Sequence, residues 1–246
     1  MEKVEKINPY SNDSRQKGKQ VEAMFDAIAP AYDFMNRAMS FGLDRVWLRR
    51  LLDVARRCNP TTIADLATGT GDVALALKRI LPQADVTGLD LSEGMLDKAR
   101  VKAAAKGVDI DFRQADCLAT GLPDDSFDLV TIAYGVRNFA DIAAGYREMA
   151  RILRPGGTLA VLELSTPTAS WCKPFYSLYT RFLIPAAGSV IAGDRRAYAY
   201  LPESIAAAPQ RQHMTALMCQ AGLSDASFTP LSMGVCTLYT ANKPRL

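Results

Sequence analysis

A strand that runs into a helix through two closely spaced glycines constrains this chain more than any other feature. Residues 62–67 are apolar and strand-like, 68–71 form a glycine turn, and 72–81 carry apolar side chains at helical spacing before Pro82. The pattern then repeats. Residues 85–90 predict a strand, 93–106 a helix ending at Gly107, 110–115 and 127–134 two further strands, and 143–153 a helix. The turn Arg154-Pro155-Gly156-Gly157 leads into a strand at 158–164. Strands that alternate with helices pair in parallel, because a crossover must return the chain to the same edge of the sheet. Two helices, 21–36 and 44–58, precede the sheet, parted by Ser40-Phe41-Gly42. A helix at 210–220 and two strands at 227–231 and 235–241 close it as a hairpin. The expected fold is α/β, with a mostly parallel seven-stranded sheet and an antiparallel closing strand.

A chain of 246 residues, with no linker or repeat to divide it, predicts one domain over 21–246. Residues 1–20 are charged and lack an apolar stretch, so they read as a flexible arm. Between 166 and 208 the alternation stops and aromatics gather, among them Trp171, Phe175, Tyr176, Tyr179, Tyr198 and Tyr200; this predicts an inserted cap. The net charge of +3 argues against nucleic acid, where a concentrated basic face is the rule. The densest basic stretch, Arg45, Arg49, Arg50, Arg56 and Arg57, reads as the solvated face of a helix. Five cysteines without a C-x-x-C pair argue against a disulfide framework or a zinc knuckle and point to a reducing, cytoplasmic setting. The lone histidine, His213, lies among polar neighbours and leaves no material for a histidine metal site or a serine triad. No metal is expected. The longest apolar run, 182–193, is broken by Pro185 and Gly188 and falls short of the ~20 residues a membrane span needs.

The glycine turn carries the chemistry. In Asp65-Leu66-Ala67-Thr68-Gly69-Thr70-Gly71 the pattern is D-x-x-x-G-x-G, and a glycine loop at a strand end lets a ligand rest on the backbone. A nicotinamide dinucleotide site would also accept Gly69-x-Gly71-x-x-Ala74. Three strand-end acids favour S-adenosylmethionine (SAM) over that rival. Asp65 is placed to orient the loop and, through water, the methionine ammonium; Asp90 to accept from ribose hydroxyls; Asp116 to receive the adenine amino group. A Rossmann-like class I SAM methyltransferase fold follows. A nucleic-acid methylase is disfavoured, because Ala133-Tyr134-Gly135-Val136 stands where its Asn/Asp-Pro-Pro-Tyr/Phe motif would lie.

The chain resembles the quinone-biosynthesis C-methyltransferases that act on demethylmenaquinol and on 2-methoxy-6-polyprenyl-1,4-benzoquinol. The resemblance rests on residues 25–36 (Phe-Asp-Ala-Ile-Ala-Pro-Ala-Tyr-Asp-Phe-Met-Asn), 39–47, the glycine loop, Tyr134-Gly135-Val136-Arg137-Asn138, Leu153-Arg154-Pro155-Gly156-Gly157, and 198–205. It implies SAM contacts at Thr70, Asp90 and the Asp116-Cys117 pair, beside Asp65, Gly69 and Gly71 of the loop. It also implies that a quinol ring carbon, made nucleophilic by loss of the neighbouring hydroxyl proton, takes the methyl group. Arg137 would stand beside the nascent phenolate, with Asn138 and Tyr32 ordering the group that takes the proton. Ala133 stands where the family has serine, Asp44 where it has histidine, and the closing Val235-Cys236-Thr237-Leu238-Tyr239 departs from its Val-Ala-Leu-His. The N-terminal Asn-Pro-Tyr-Ser-Asn-Asp and the Gly-Leu-Asp-Arg variant favour demethylmenaquinol over the benzoquinol. The implied partners are a polyprenylated quinol, whose tail the aromatic cap would shelter, a peripheral contact with the inner face of the membrane through 182–193, and a homodimeric copy. A SAM-binding scaffold without turnover is the remaining alternative, against which Arg137-Asn138 weighs.

Overall fold

The structure, a computed structural model, describes residues 3–10, 12–169, 171, 176, 178 and 195–245. Helices α1 (Lys17–Ile28), α2 (Tyr32–Met39) and α3 (Asp44–Cys58) precede strand β1 (Thr62–Leu66). There follow α4 (Asp72–Ile80), β2 (Asp85–Asp90), α5 (Glu93–Lys106), β3 (Asp111–Gln114), β4 (Phe127–Ala133), α6 (Ile142–Ile152) and β5 (Leu153–Leu164). After the cap region come α7 (Arg195–Ala207), α8 (Gln212–Gln220), β6 (Ser224–Leu231) and β7 (Cys236–Asn242). The strands form one seven-stranded sheet in the order β3-β2-β1-β4-β5-β7-β6. β7 runs antiparallel between β5 and β6, and β1 to β5 pair in parallel. The order reverses between β1 and β4, and a ligand crevice forms beyond the carboxyl ends of strands at such a point.

Alternation along the strands sends successive side chains to two apolar layers. Ala64, Leu66, Val130, Ile132 and Val161 face one layer with Tyr146 and Met149 of α6 and Met214 and Met218 of α8. Ile63, Leu129 and Leu162 face the other, with Trp47 and Leu51 of α3, Leu75 and Leu77 of α4 and Leu96 of α5. A third cluster lies over the crevice: Met24 and Ile28 of α1, Met35 of α2, Met95 of α5 and Tyr200 of α7. Local chemistry fixes the helix ends. Ser92 and Asp141 cap α5 and α6 through the amides of Met95 and Ala144, and Asn59 and Gly107 end α3 and α5 in the left-handed conformation.

Several sequence expectations need correction. Three helices precede the sheet, because Pro30 has no amide to continue α1 and sits instead in a short 3-10 turn, Ala29–Ala31. The Arg154-Pro155-Gly156-Gly157 turn lies inside β5: Leu153 pairs with Phe127, and the register shifts there before Thr158 pairs with Leu129. The N-terminal arm is docked. Val4 is fully buried, the ammonium of Lys17 donates to its carbonyl (2.7 Å), and Glu5 accepts from the Ile142 amide (2.8 Å). Gln20, also buried, donates to the carbonyls of Asp13 and Arg15. These polar residues look solvated in the sequence because their partners are backbone groups, carbonyls of the arm for Lys17 and Gln20 and the Ile142 amide for Glu5, which no side-chain pattern marks. The segment 182–193, expected to meet the membrane, and much of the 166–208 cap lie outside the described residues. Among the described residues no helix is long and apolar enough to cross a membrane, and no cluster of side chains is suited to a metal ion.

Candidate active site

The crevice has two halves. On the β1–β3 side the chain turns from β1 into α4 with both glycines left-handed, Gly69 at φ +56° and Gly71 at φ +81°. The two do different work. A Cβ on Gly71 would lie 2.9 Å from that of Ala99, so Gly71 lets α4 and α5 pack together. A Cβ on Gly69 would meet only the Tyr32 ring, at 3.9 Å, and Gly69 lines the cavity. Asp90 fastens this loop: one carboxylate oxygen accepts from the Gly69 amide (2.8 Å) and the other from the Ser92 amide (2.9 Å). Burial raises its pKa, and these amides pull against that rise. Asp65, 1% exposed, accepts from the hydroxyls of Thr68 (2.6 Å) and Thr131 (2.7 Å). Desolvation outweighs both bonds and pushes its carboxyl up to about 6. Asp116 is exposed and accepts from the Leu118 amide (2.9 Å), while the buried Cys117 thiol is raised by desolvation and stays protonated. Leu91, Leu118 and Phe139 line the same cavity as Asp90 and Asp116, so apolar faces for a flat base lie beside acceptors for hydroxyls and an amino group.

The other half is an apolar chamber between α1, α2, α7 and the turn after β4. Met24, Ile28, Met39, Trp47, Leu201 and Ile205 line it, and its polar groups are few. Arg137 and Asn138 reach it from a 3-10 turn, Val136–Asn138, that follows Tyr134 at φ +60°. Arg137 is 7% exposed. Its Nη1 donates to Glu163 (2.7 Å) and to the Tyr134 carbonyl, and its amide also donates to Glu163 (3.2 Å). Burial works against the charged guanidinium, but the Glu163 carboxylate outweighs it and holds the arginine pKa above its ordinary value. Arg137 Nε and Asn138 Oδ1 are buried and find no hydrogen-bonding partner among the described residues. The two halves meet at Tyr32 and Tyr134, which line both cavities. The Tyr32 ring is held edge-on to Phe25 with centroids 6.0 Å apart, and desolvation raises its phenol pKa.

Two cavities meet at Tyr32 and Tyr134, with a glycine loop on one side and a buried cation on the other, an arrangement with room for two molecules side by side. A family model described as the ubiE/COQ5 methyltransferase family matches residues 13–243. The chain belongs to the ubiE/COQ5 methyltransferase family. As a member of it, the chain is a SAM-dependent methyltransferase. It is 43% identical over 241 residues to the demethylmenaquinone methyltransferase of Bacteroides fragilis, covering 97% of this chain and 98% of that one. The protein of the same name from Thermus thermophilus is 45% identical over 221 residues, covering 90% of this chain and all of the relative. A ubiquinone/menaquinone biosynthesis C-methyltransferase of Geobacter sulfurreducens is 41% identical over 231 residues, covering 93% and 90%. Among solved structures, a SAM-dependent methyltransferase from Aquifex aeolicus superposes with a TM-score of 0.59 at 16% identity, covering 81% of this chain and 92% of that one. One from Thermotoga maritima, titled a possible histamine N-methyltransferase, reaches 0.61 at 18% identity, covering 90% and 99%. At these identities the structures establish the fold alone.

Within this family member, the sequence-predicted residues fall into three groups. Gly69, Asp90, Asp116 and Cys117 line the glycine-loop cavity, Tyr32, Arg137 and Asn138 line the chamber, and Asp65 and Thr70 line a third cavity with Asp33 and Asp72. Gly71 lines none of these cavities and acts through packing. Thr70 is 3% exposed, and its hydroxyl already donates to Asp33 (2.6 Å) and accepts from Lys102 (2.9 Å). Three residues were missed by the sequence reading. Asp33 and Lys102 tie α2 to the glycine loop from distant parts of the chain, and Lys102 also pairs with Asp33 (2.5 Å) and Asp72 (2.7 Å). Glu163 is the third. A lone acid inside an otherwise apolar strand was its available signal, because such a residue needs a buried partner.

Proposed function

We propose that this methyltransferase acts on the reduced ring of demethylmenaquinol, transferring the SAM methyl to the carbon beside a ring hydroxyl. The observation that carries this reading is the pair of unsatisfied groups, Arg137 Nε–H and Asn138 Oδ1, facing an apolar chamber that opens onto the cofactor cavity at Tyr32. An apolar ring with hydroxyl groups complements such a chamber. The names of the Bacteroides and Thermus relatives support the naphthoquinol over a benzoquinol.

SAM supplies an electrophilic methyl. The protein's part is to align the ring with it and to stabilise the charge that develops on the ring oxygen. Asp65, Asp90 and Asp116 would hold the cofactor from the glycine-loop side. Arg137 stays charged, so it stabilises the phenolate and does not take its proton. Because Glu163 neutralises much of its field, the directed Nε–H bond carries the effect more than bulk charge does. Asn138 and Tyr32 order the group that accepts the hydroxyl proton. As the new C–C bond forms, the C–S bond breaks and S-adenosylhomocysteine leaves. The ring C–H proton is then lost and the ring oxygen regains a proton, which restores the aromatic quinol, so one proton is released overall.

The quinol's prenyl tail calls for a bilayer at the chamber mouth. Exposed Phe34 and Phe41 lie on the α2–α3 corner with exposed Arg37, Arg45 and Arg49, beside Met39 and Ser40 of the lining. Apolar tips among arginines suit an anionic membrane surface. The test of substrate identity is labelled-methyl transfer to reduced demethylmenaquinol and to the reduced methoxy-polyprenyl-benzoquinol, side by side. Product from the naphthoquinol alone is expected. Product from both would make it a dual-substrate enzyme, and none from either would overturn the quinol reading.

A further inference from the structure

Two further groups of the chamber lining, the hydroxyls of Tyr134 and Tyr200, are buried without a hydrogen-bonding partner among the described residues. Tyr200, on α7, is 2% exposed, lines the chamber, and its hydroxyl finds no hydrogen bond among the described residues. Leaving a buried hydroxyl unpaired costs about 1–3 kcal/mol, so a tyrosine here is unfavourable next to a phenylalanine unless a ligand completes it. The ring is fixed in the apolar cluster with Met24, Ile28 and Met35, so α1 and α2 set where the hydroxyl points. The hydroxyl is electrostatically coupled to Arg137. It therefore belongs to the polar constellation of the chamber, although it comes from α7 and not from the turn after β4.

We infer that Tyr200 is a substrate-recognition residue that binds the second ring hydroxyl of the quinol, the one remote from the carbon that receives the methyl group. This rests on the quinol reading above. A para-diol offers two hydroxyls on opposite sides of one ring, and the chamber has polar groups on two walls. Arg137 Nε–H, a donor only, suits the oxygen that becomes phenolate. A phenol can donate and accept together, which matches a hydroxyl that keeps its proton throughout. Burial also raises the Tyr200 phenol, so it remains protonated at neutral pH and is not the base. The consequence is selection for the reduced diol: an ether or carbonyl at the remote position can accept from Tyr200 but has no proton to give it, and a substitution that removes the tyrosine oxygen forfeits both bonds.

The test compares wild type with Tyr200→Phe, which keeps the ring in its cluster, on short-tailed demethylmenaquinol and on its ether methylated at the remote hydroxyl. Tyr200→Phe should lower kcat/KM on the diol about tenfold with SAM Kd unchanged. The wild type should lose a similar factor on the ether, and the variant should lose little more. Equal turnover of the diol by both proteins would overturn the inference. So would an equal loss by the variant on diol and ether, which is the signature of a merely structural role. If the wild type methylates neither, the quinol reading fails, and binding decides Tyr200 separately. A preference for 1,4-dihydroxynaphthalene over 4-methoxy-1-naphthol that vanishes in Tyr200→Phe supports the inference; identical binding by both proteins overturns it.

Discussion

The two halves of the crevice handle their polar groups in opposite ways. On the cofactor side, Asp65, Asp90 and Thr70 already hold partners within the protein, so the loop is built before a ligand arrives. In the chamber, Arg137 Nε, Asn138 Oδ1 and the hydroxyls of Tyr134 and Tyr200 are buried and unpaired among the described residues. A preorganised loop gives affinity without reordering, whereas unpaired groups give selectivity, because only a ligand that satisfies them avoids their desolvation cost. Mutations in the two halves should therefore separate binding of SAM from turnover of the second substrate.

The largest expected effect tests that separation at Arg137. Arg137→Lys keeps a cation but loses the Nε–H, and should lower kcat by roughly 10²–10³-fold while SAM Kd, measured calorimetrically, moves less than about twofold. Full turnover in this variant would break the comparison. Arg137→Gln should in addition lose about 3 kcal/mol of stability in urea titration, since Glu163 would be left buried without its cation. In the other half, Gly71→Ala should destabilise the fold by about 2 kcal/mol, from positive φ and the 2.9 Å approach to Ala99. Gly69→Ala should cost less stability and more SAM affinity.

A smaller effect comes from Asp65. Its folded pKa, near 6, lies above the ordinary carboxylate value, so the carboxylate is the minority form below pH 6, and the penalty of burying it builds up between about pH 4 and 6 and is complete above that. SAM, whose ammonium prefers the ionised form, should bind several-fold more tightly at pH 7 than at pH 5, and Asp65→Asn should flatten that dependence. The same linkage makes unliganded wild type lose stability relative to Asp65→Asn as pH rises from about 4 to 6. The smallest effect is at Lys102. Its ion pairs are part-exposed, so Lys102→Met should change stability by under about 1 kcal/mol while weakening SAM two- to fivefold through a looser Thr70–Asp33 tie.

The glycine-loop half was legible in the sequence as structure because its signals are local: a strand, a glycine turn and acids at successive strand ends. Periodicity likewise gave the alternating sheet and the closing hairpin. The chamber was legible only through resemblance, since Tyr32, Arg137 and Tyr200 come from three distant segments and no spacing rule joins them. Asp33 and Lys102 escaped for the same reason. Their hydrogen bonds to Thr70 span 37 and 32 residues and leave no trace in local pattern. The docked arm was misread because Lys17 and Gln20 are polar residue types that are seldom buried, and here satisfy their polar atoms on carbonyls of the arm itself.

The central claim is that a ring hydroxyl, ionised beside Arg137, makes the neighbouring carbon the nucleophile, and it is tested most directly by the redox state of the acceptor. Labelled-methyl transfer from SAM to demethylmenaquinone would be followed with and without dithionite. The account predicts product only from the reduced quinol, with the rate rising with pH as the hydroxyl ionises. Equal product from the oxidised quinone, which has no hydroxyl to ionise, would contradict it.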